Sequence, residues 1–309
     1  MKKQPSWEFG CTVKRGPKLV NEDRCYLQMG EDRIGNPFAL ALVADGMGGY
    51  QRGDKASELV ISKVQAWSEQ RLSVVIEELN PLEKISNELD NLLYQINEEL
   101  LLMEKKSGIR AGTTVSLIFL YEESYLIKHI GDSRIYQFSQ NVRQEETQGC
   151  LEDTAPLDLA ALKIAESHGA IYYMNQLTED HSWVEYQVQQ GLLTREEARV
   201  HPKRNMLIQC LGIEQKFNPF QTNGSYKKQD LFMLCSDGFY ALFQETELAS
   251  MVLEFVRDLG ELQSVTDLLV KVALQSPNVS DNISVLMIRP NQQELVKKSW
   301  KKKILSIFT

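Results

Sequence analysis

From Phe38 to Ala44 the chain runs through seven residues without a charge, entered by a Gly35-Asn36-Pro37 turn and left at Asp45. A short unbroken apolar run between turn signals predicts a strand buried on both faces. Asp54 to about Ser73 reads as helical. Next, Leu82, Ile85, Leu89, Leu92, Ile96, Leu100 and Met103 recur at spacings of three and four, which predicts an amphipathic helix with Pro81 at its first position. Thr113–Leu120 and Tyr125–Ile130 are β-rich runs joined by a polar Tyr-Glu-Glu-Ser turn and predict a hairpin. Asp230–Cys235 predicts a strand entering Ser236-Asp237-Gly238; helices follow over about 245–258 and 261–275, and Ile283–Ile288 predicts a last strand. Strands in groups with helices in pairs favour packed sheets flanked by helices over a regular βαβ alternation. Gln140–Gln176 has little period, with Leu157–Ser167 as a short helix, and from Asn291 onward runs a tail with five lysines between Lys297 and Lys303.

With 43% apolar residues in 309, the chain has core enough for one large domain or two ordinary ones. A formal net charge of −8 argues against a basic nucleic-acid binder. No stretch reaches the length of a membrane span, and Met1–Gly10 lacks the apolar segment of a secretory signal. The five cysteines (Cys11, Cys25, Cys150, Cys210, Cys235) form no Cys-x-x-Cys pair, which excludes a zinc ribbon and disfavours a disulfide scaffold. The chain reads as cytoplasmic.

The chemistry lies where apolar strands stop. Asp45, Asp132 and Asp237 follow strands, Asp281 precedes one, and Asn21-Glu22-Asp23 adds two carboxylates near the start. Each alone is an ordinary turn residue. Gathered at one rim they would repel each other and need cations, and carboxylates without His or Cys suit Mg²⁺ or Mn²⁺. Glu22, Asp45, Asp237 and Asp281 carry four negative charges, which two divalent ions cancel. Such a pair of ions could bind an anionic phosphate and activate a bridging water for in-line attack. Competing chemistries fail on the letters. Gly46-Met47-Gly48-Gly49 completes neither the dinucleotide nor the Walker pattern, no cysteine has an arginine six residues on, and no Gly-x-Ser-x-Gly or His-Glu-x-x-His occurs. A metal-dependent nuclease would fit the carboxylates but not the acidic balance.

The residues resemble the bacterial metal-dependent PPM, or PP2C-type, Ser/Thr protein phosphatases. In order, the matching segments are Asn21-Glu22-Asp23-Arg24, Val43-Ala44-Asp45-Gly46-Met47-Gly48-Gly49, Ala111-Gly112-Thr113-Thr114 and Gly131-Asp132-Ser133-Arg134. They continue with Leu177-Thr178-Glu179-Asp180-His181-Ser182, His201-Pro202-Lys203-Arg204-Asn205, Leu234-Cys235-Ser236-Asp237-Gly238 and Ser280-Asp281-Asn282. Each is modest; eight in order across residues 21–282 are specific.

The resemblance implies an α+β fold, a four-layer α-β-β-α sandwich of two antiparallel sheets flanked by helix pairs. It implies one phosphatase domain over 1–290, with an insertion at about 140–176, a flap at about 180–205 and a basic tail over 291–309. It also implies a protein-serine/threonine phosphatase, a phosphoric monoester hydrolase, using two Mn²⁺ or Mg²⁺ ions with a possible third. A metal-bridging water or hydroxide would attack phosphoserine or phosphothreonine in line, opposing a bacterial Ser/Thr kinase that is itself among the phosphorylated substrates. The alternative is a non-catalytic phosphoprotein-binding or regulatory module on the same fold.

By position, the resemblance makes Asp45 the bridging ligand, with the Gly46 carbonyl, Glu22, Asp237 and Asp281 completing two sites and Asp132 joining Asp237 at a third. Asp23 and Asn282 would stand behind them, and Asp45, Asp237 and Lys18 would carry catalysis. Three departures stand out. Lys18 occupies the place of the family's phosphate-holding arginine, with Arg15 nearby as a second candidate; lysine lacks arginine's bidentate fork. Met47, as in bacterial members, replaces a histidine proposed as general acid in eukaryotic relatives. The insertion is the third. His129, His181, His201 and Cys235 read as structural residues. The tail could touch an anionic membrane surface, but a solvated end is the favoured reading.

Overall fold

The computed structural model describes residues 6–47, 52–108, 110–142, 162–167 and 170–291. The chain opens with β1 (Trp7–Lys14), β2 (Arg24–Glu31), β3 (Pro37–Ala44) and the short β4 (Gly46–Met47). Helix α1 (Gly53–Trp67) continues through a π-helical turn at Ser68–Leu72 into α2 (Ser73–Val75), and α3 spans Pro81–Ser107. Then come β5 (Gly112–Thr113), β6 (Val115–Tyr121), β7 (Ser124–Ile130), β8 (Arg134–Val142), β9 (Leu162–Ser167) and β10 (Ala170–Gln176). Two short helices, α4 (Trp183–Gln189) and α5 (Arg195–Val200), precede β11 (Phe220–Ser225) and β12 (Leu231–Cys235). The chain ends in α6 (Asp237–Tyr240), α7 (Glu245–Leu259), α8 (Leu262–Leu274) and β13 (Ile283–Pro290).

Two antiparallel sheets are flanked by helices in an α+β sandwich. One sheet has the order β1-β13-β12-β8-β10-β9, the other β11-β7-β6-β3-β2. Alternate residues of β3 explain why its sequence has no period. Phe38, Leu40, Leu42 and Ala44 pack with α1 and α3 on one side, while Ala39, Ala41 and Val43 pack in the layer between the sheets. β12 does the same: Phe232 and Leu234 face the inter-sheet layer, and Leu231, Met233 and Cys235 face α7 and α8. A strand buried on both faces must be apolar throughout. The long helix buries Ile85, Leu89, Leu93, Ile96 and Leu100; Leu82 and Leu92 flank the core and Met103 is exposed. Glu122 and Glu123 both take positive φ in the two-residue turn from β6 to β7, as a tight hairpin demands.

Two expectations change. The helix read at Leu157–Ser167 is absent where the chain is described: Leu162–Ser167 is β9, paired antiparallel with β10, which pairs in turn with β8. The outer edge of β10 supplies unpaired backbone groups, and the ladder with β9 satisfies them. The rest of that segment, 143–161, and the basic tail beyond Asn291 lie outside the described residues. No helix among the described residues is long and apolar enough to cross a membrane.

Helix α8 lies directly on the edge strand β1. Thr12 donates to Asp267 at 2.6 Å, and Gln263 accepts from the Cys11 backbone N–H at 3.1 Å. Gly10 permits this approach, since a Cβ there would stand 2.2 Å from the Leu262 carbonyl oxygen. Gly10→Val should therefore cost about 1–3 kcal/mol by overpacking. Urea unfolding followed by circular dichroism measures it, and an unchanged midpoint would contradict this account of the β1–α8 contact.

Candidate metal centre

At one end of the sandwich the loop between β1 and β2, the β3–β4 junction, the start of β8, the start of α6 and the approach to β13 come together. Asp45 is fixed by its backbone more than by its side chain. The Asp45 N–H donates to Thr114 Oγ1 at 2.9 Å, and its carbonyl accepts from the Thr114 N–H at 2.8 Å and Thr113 Oγ1 at 2.9 Å. Thr114 also meets Ser133 at 2.8 Å. The Ala-Gly-Thr-Thr and Gly-Asp-Ser-Arg segments thus brace Asp45 and Asp132 against each other. Gly46 and Gly53 touch backbone to backbone, a Cβ on Gly46 standing 2.2 Å from the Gly53 carbonyl oxygen. This contact seats the first turn of α1 against the centre, where the Gly53 N–H donates to Glu22 Oε1 at 2.9 Å.

Asn282 holds the β1–β2 loop. Its Oδ1 accepts from the Glu22 N–H at 2.8 Å, and its Nδ2 donates to the carbonyls of Arg15 at 2.7 Å and Val20 at 3.1 Å. Lys18 bridges to Asp281 at 3.0 Å and also feels the charges of Glu22 and Asp45. Arg15 turns away, donating to the Leu19 carbonyl at 3.2 Å. Asp23 is buried, with Oδ2 accepting from Ser236 at 2.8 Å and Ser284 at 2.7 Å, while Oδ1 is buried without a partner.

The electrostatics are those of crowded like charges. Burial, then the neighbouring Asp23, Asp237, Asp132 and Asp281 carboxylates, push Asp45 well above the ordinary range. Burial followed by Asp237 and Asp180 does the same to Asp132. Asp23 is raised to about 6, chiefly by burial, against the two serine hydroxyls that favour its charged form. Asp45 and Asp237 relieve part of the repulsion through a hydrogen bond between their carboxyl groups. As placed, no group of three or more His, Cys, Asp or Glu side chains among the described residues already closes around an ion. The fit is in the kind of donor: oxygen atoms only, an excess of negative charge, and one orphaned buried oxygen on Asp23, which together suit hard divalent cations.

Beside the carboxylates opens a cleft of about 320 Å³, with Asp132 and Asp237 at one end and residues of the 180–205 segment along one wall. That wall is anchored by Arg134, whose Nε and Nη2 donate to Asp180 at 3.0 and 2.7 Å and whose guanidinium lies 3.9 Å from the Tyr240 ring centre. Tyr240 in turn donates to the Asp132 carbonyl at 2.9 Å. The histidines are structural. His129 is buried, bonded to Ser116 and stacked on His181, and burial lowers it to about 4. His181 Nδ1 accepts from the Gly131 N–H at 3.1 Å, and His201 stacks on Trp183. Cys235 is fully buried.

Several participants escape the motif reading. Ser236 lies in a motif without an obvious role, Ser284 sits two residues beyond Asn282, and Tyr240 follows Asp237 by three positions. Asp54 is another, its Oδ1 buried without a partner and its charge felt by Glu22.

Metal-free protein should gain stability as pH falls from about 6 towards 4. A raised folded pKa means that the folded state takes up protons the unfolded chain does not. For Asp23 that window lies between the ordinary 3.8 and about 6. Thermal melts in EDTA across this range test it; a steady loss of stability over the same interval would contradict the crowding. Asp45→Asn should raise the metal-free midpoint at pH 7, measured by thermal melts in EDTA.

The chain matches the family model for protein phosphatase 2C over residues 14–156. It is 30% identical over 261 residues to the serine/threonine phosphatase stp of Listeria welshimeri, covering 82% of this chain and 84% of that one. The serine/threonine phosphatase of S. agalactiae superposes with a TM-score of 0.69 at 23% identity, over 92% of this chain and all of that one. The PstP catalytic domain, solved with two manganese ions, superposes with a TM-score of 0.65 at 23% identity, over 92% and 97% of the two chains. With the ordered motifs and the two-sheet sandwich, these matches place the chain in the PP2C, or PPM-type, Ser/Thr phosphatase family, to which it belongs.

Proposed function

We propose that this protein hydrolyses phosphoserine and phosphothreonine esters on proteins, with Mn²⁺ or Mg²⁺ held by Glu22, Asp45, the Gly46 carbonyl, Asp237 and Asp281, and a third ion by Asp132 with Asp237. The observation that carries this reading is the crowding of Asp45 by four other carboxylates, which raises its proton affinity far above the ordinary. Divalent ions bound there would offset that charge, draw in the phosphate and activate the attacking water. The chain's own residues do the rest. Asp23, gripped by Ser236 and Ser284, presents its free oxygen as an acceptor that orients water. Lys18, 3.0 Å from Asp281, is the better placed of the two basic candidates to meet a phosphate, since the Arg15 guanidinium is engaged by the loop backbone. The cleft along the 180–205 segment gives the substrate polypeptide a path to the carboxylates. Substrates of this chemistry are made by Ser/Thr kinases, which this enzyme would oppose.

Phosphate release from a phosphothreonine peptide, measured with Mn²⁺, with Mg²⁺ and with EDTA, tests the reading. Release should require metal, and Asp237→Asn should lower kcat/KM by about 10³-fold or more. No release from folded, metal-loaded protein would leave the phosphoprotein-binding module as the better reading. Lys18→Ala should raise KM about tenfold with a smaller change in kcat; an unchanged KM would move phosphate binding to another group.

A further inference from the structure

Two thiols meet on the open side of the sandwich. β1 is the edge strand of the six-stranded sheet and β2 the edge strand of the five-stranded one. Cys11 on β1 and Cys25 on β2 both project into the inter-sheet layer, packed beside Leu27 and Met29 against the same core. There the two thiols stand close enough to perturb each other's ionisation. The neighbouring Cys25 thiol lowers the Cys11 thiol below its ordinary value, while the Cys11 contact and then burial hold Cys25 well above. One thiol of the pair is thus the readier nucleophile and the other a protonated partner. Both residues are partly exposed, whereas Cys210 and Cys235 are buried, and burial pushes the Cys210 thiol up to about 12.

The stretch between the two cysteines contains the loop that presents Lys18, Glu22 and Asp23. Ser284, whose hydroxyl donates to Asp23 at 2.7 Å, also lies beside the Cys25 sulfur. Nothing in the hydrolytic chemistry uses either thiol.

We propose that Cys11 and Cys25 form a reversible oxidation site, which hydrogen peroxide closes to a disulfide stapling β1 to β2 across the base of the 15–23 loop. The Cys11 thiolate attacks a peroxide oxygen, the O–O bond breaks, and the leaving oxygen departs as water, giving a sulfenic acid. The Cys25 thiol then attacks the Cys11 sulfur and the S–O bond breaks with loss of a second water. Two electrons pass from the dithiol to the peroxide, and a dithiol restores both thiols by exchange. Closure brings the sulfurs to about 2 Å. It moves the Cys25 sulfur that lies beside Ser284 and so disturbs the hydroxyl pair around Asp23. The consequence for metal binding rests on the centre proposed above; the oxidation itself does not.

Full-length protein treated with hydrogen peroxide, alkylated and digested should yield a Cys11–Cys25 linked peptide, lighter than its two components by two hydrogens and lost on treatment with dithiothreitol. The oxidised form should melt about 5 °C higher, since the bond closes a 15-residue loop, and should bind Mn²⁺ several-fold more weakly by titration calorimetry. Cys11→Ser should abolish both responses. A linked peptide involving Cys150, or Cys11 driven to sulfinic acid with no cross-link, overturns the proposal. Equal Mn²⁺ affinity in cross-linked and reduced protein overturns the coupling to the loop. Failure of the reduced protein to bind Mn²⁺ at all counts instead against the metal-centre reading.

Discussion

Carboxylates gathered at one end of two sheets repel each other, and most of the local structure is arranged to withstand that repulsion. Backbone hydrogen bonds do much of the holding, because side chains of one sign cannot hold each other. Thr113 and Thr114 fix Asp45 through its amide and carbonyl, Tyr240 fixes the Asp132 carbonyl, and Asn282 fixes the amide of Glu22. Lys18 and a carboxyl–carboxyl hydrogen bond offset some of the charge. Such a centre is destabilising by itself and is sustained by the inter-sheet and helix-facing cores on either side.

That division of labour explains what the amino-acid sequence disclosed. Strands buried on both faces, such as β3 and β12, announced themselves as apolar runs, and α3 through its spacing. The edge strands did not. Every residue of β2 except Glu31 is half-buried, so β2 has neither a run nor a clean alternation, and β1 mixes Trp7, Gly10 and Lys14 in one element. At β9 the local pattern favoured a helix, and the outcome was decided by an unpaired neighbour in the sheet, which no local window contains.

The centre shows the same split. Acidic residues at strand ends and the ordered motifs marked the carboxylates, since chemistry needs those residue types at those places. Their supports were hidden because they are ordinary residues in ordinary positions. Ser236, Ser284 and Tyr240 could each have been a turn or core residue, and only three-dimensional convergence gives them work. Arg134 looked like part of a motif; its grip on Asp180 and its stacking on Tyr240 make it the link between the wall of the cleft and Asp132. The long connection after β8 was visible as an irregularity, but not as an added edge to a sheet.

The Gly46–Gly53 contact has an evolutionary consequence. Most core positions can drift, because a larger residue at one site is matched by a smaller one at its neighbour. Here main chain meets main chain, and no residue is smaller than glycine. A change at either position has no compensating partner, so the seat of α1 beside Asp45 is closed to the stepwise repacking by which the surrounding core can diverge.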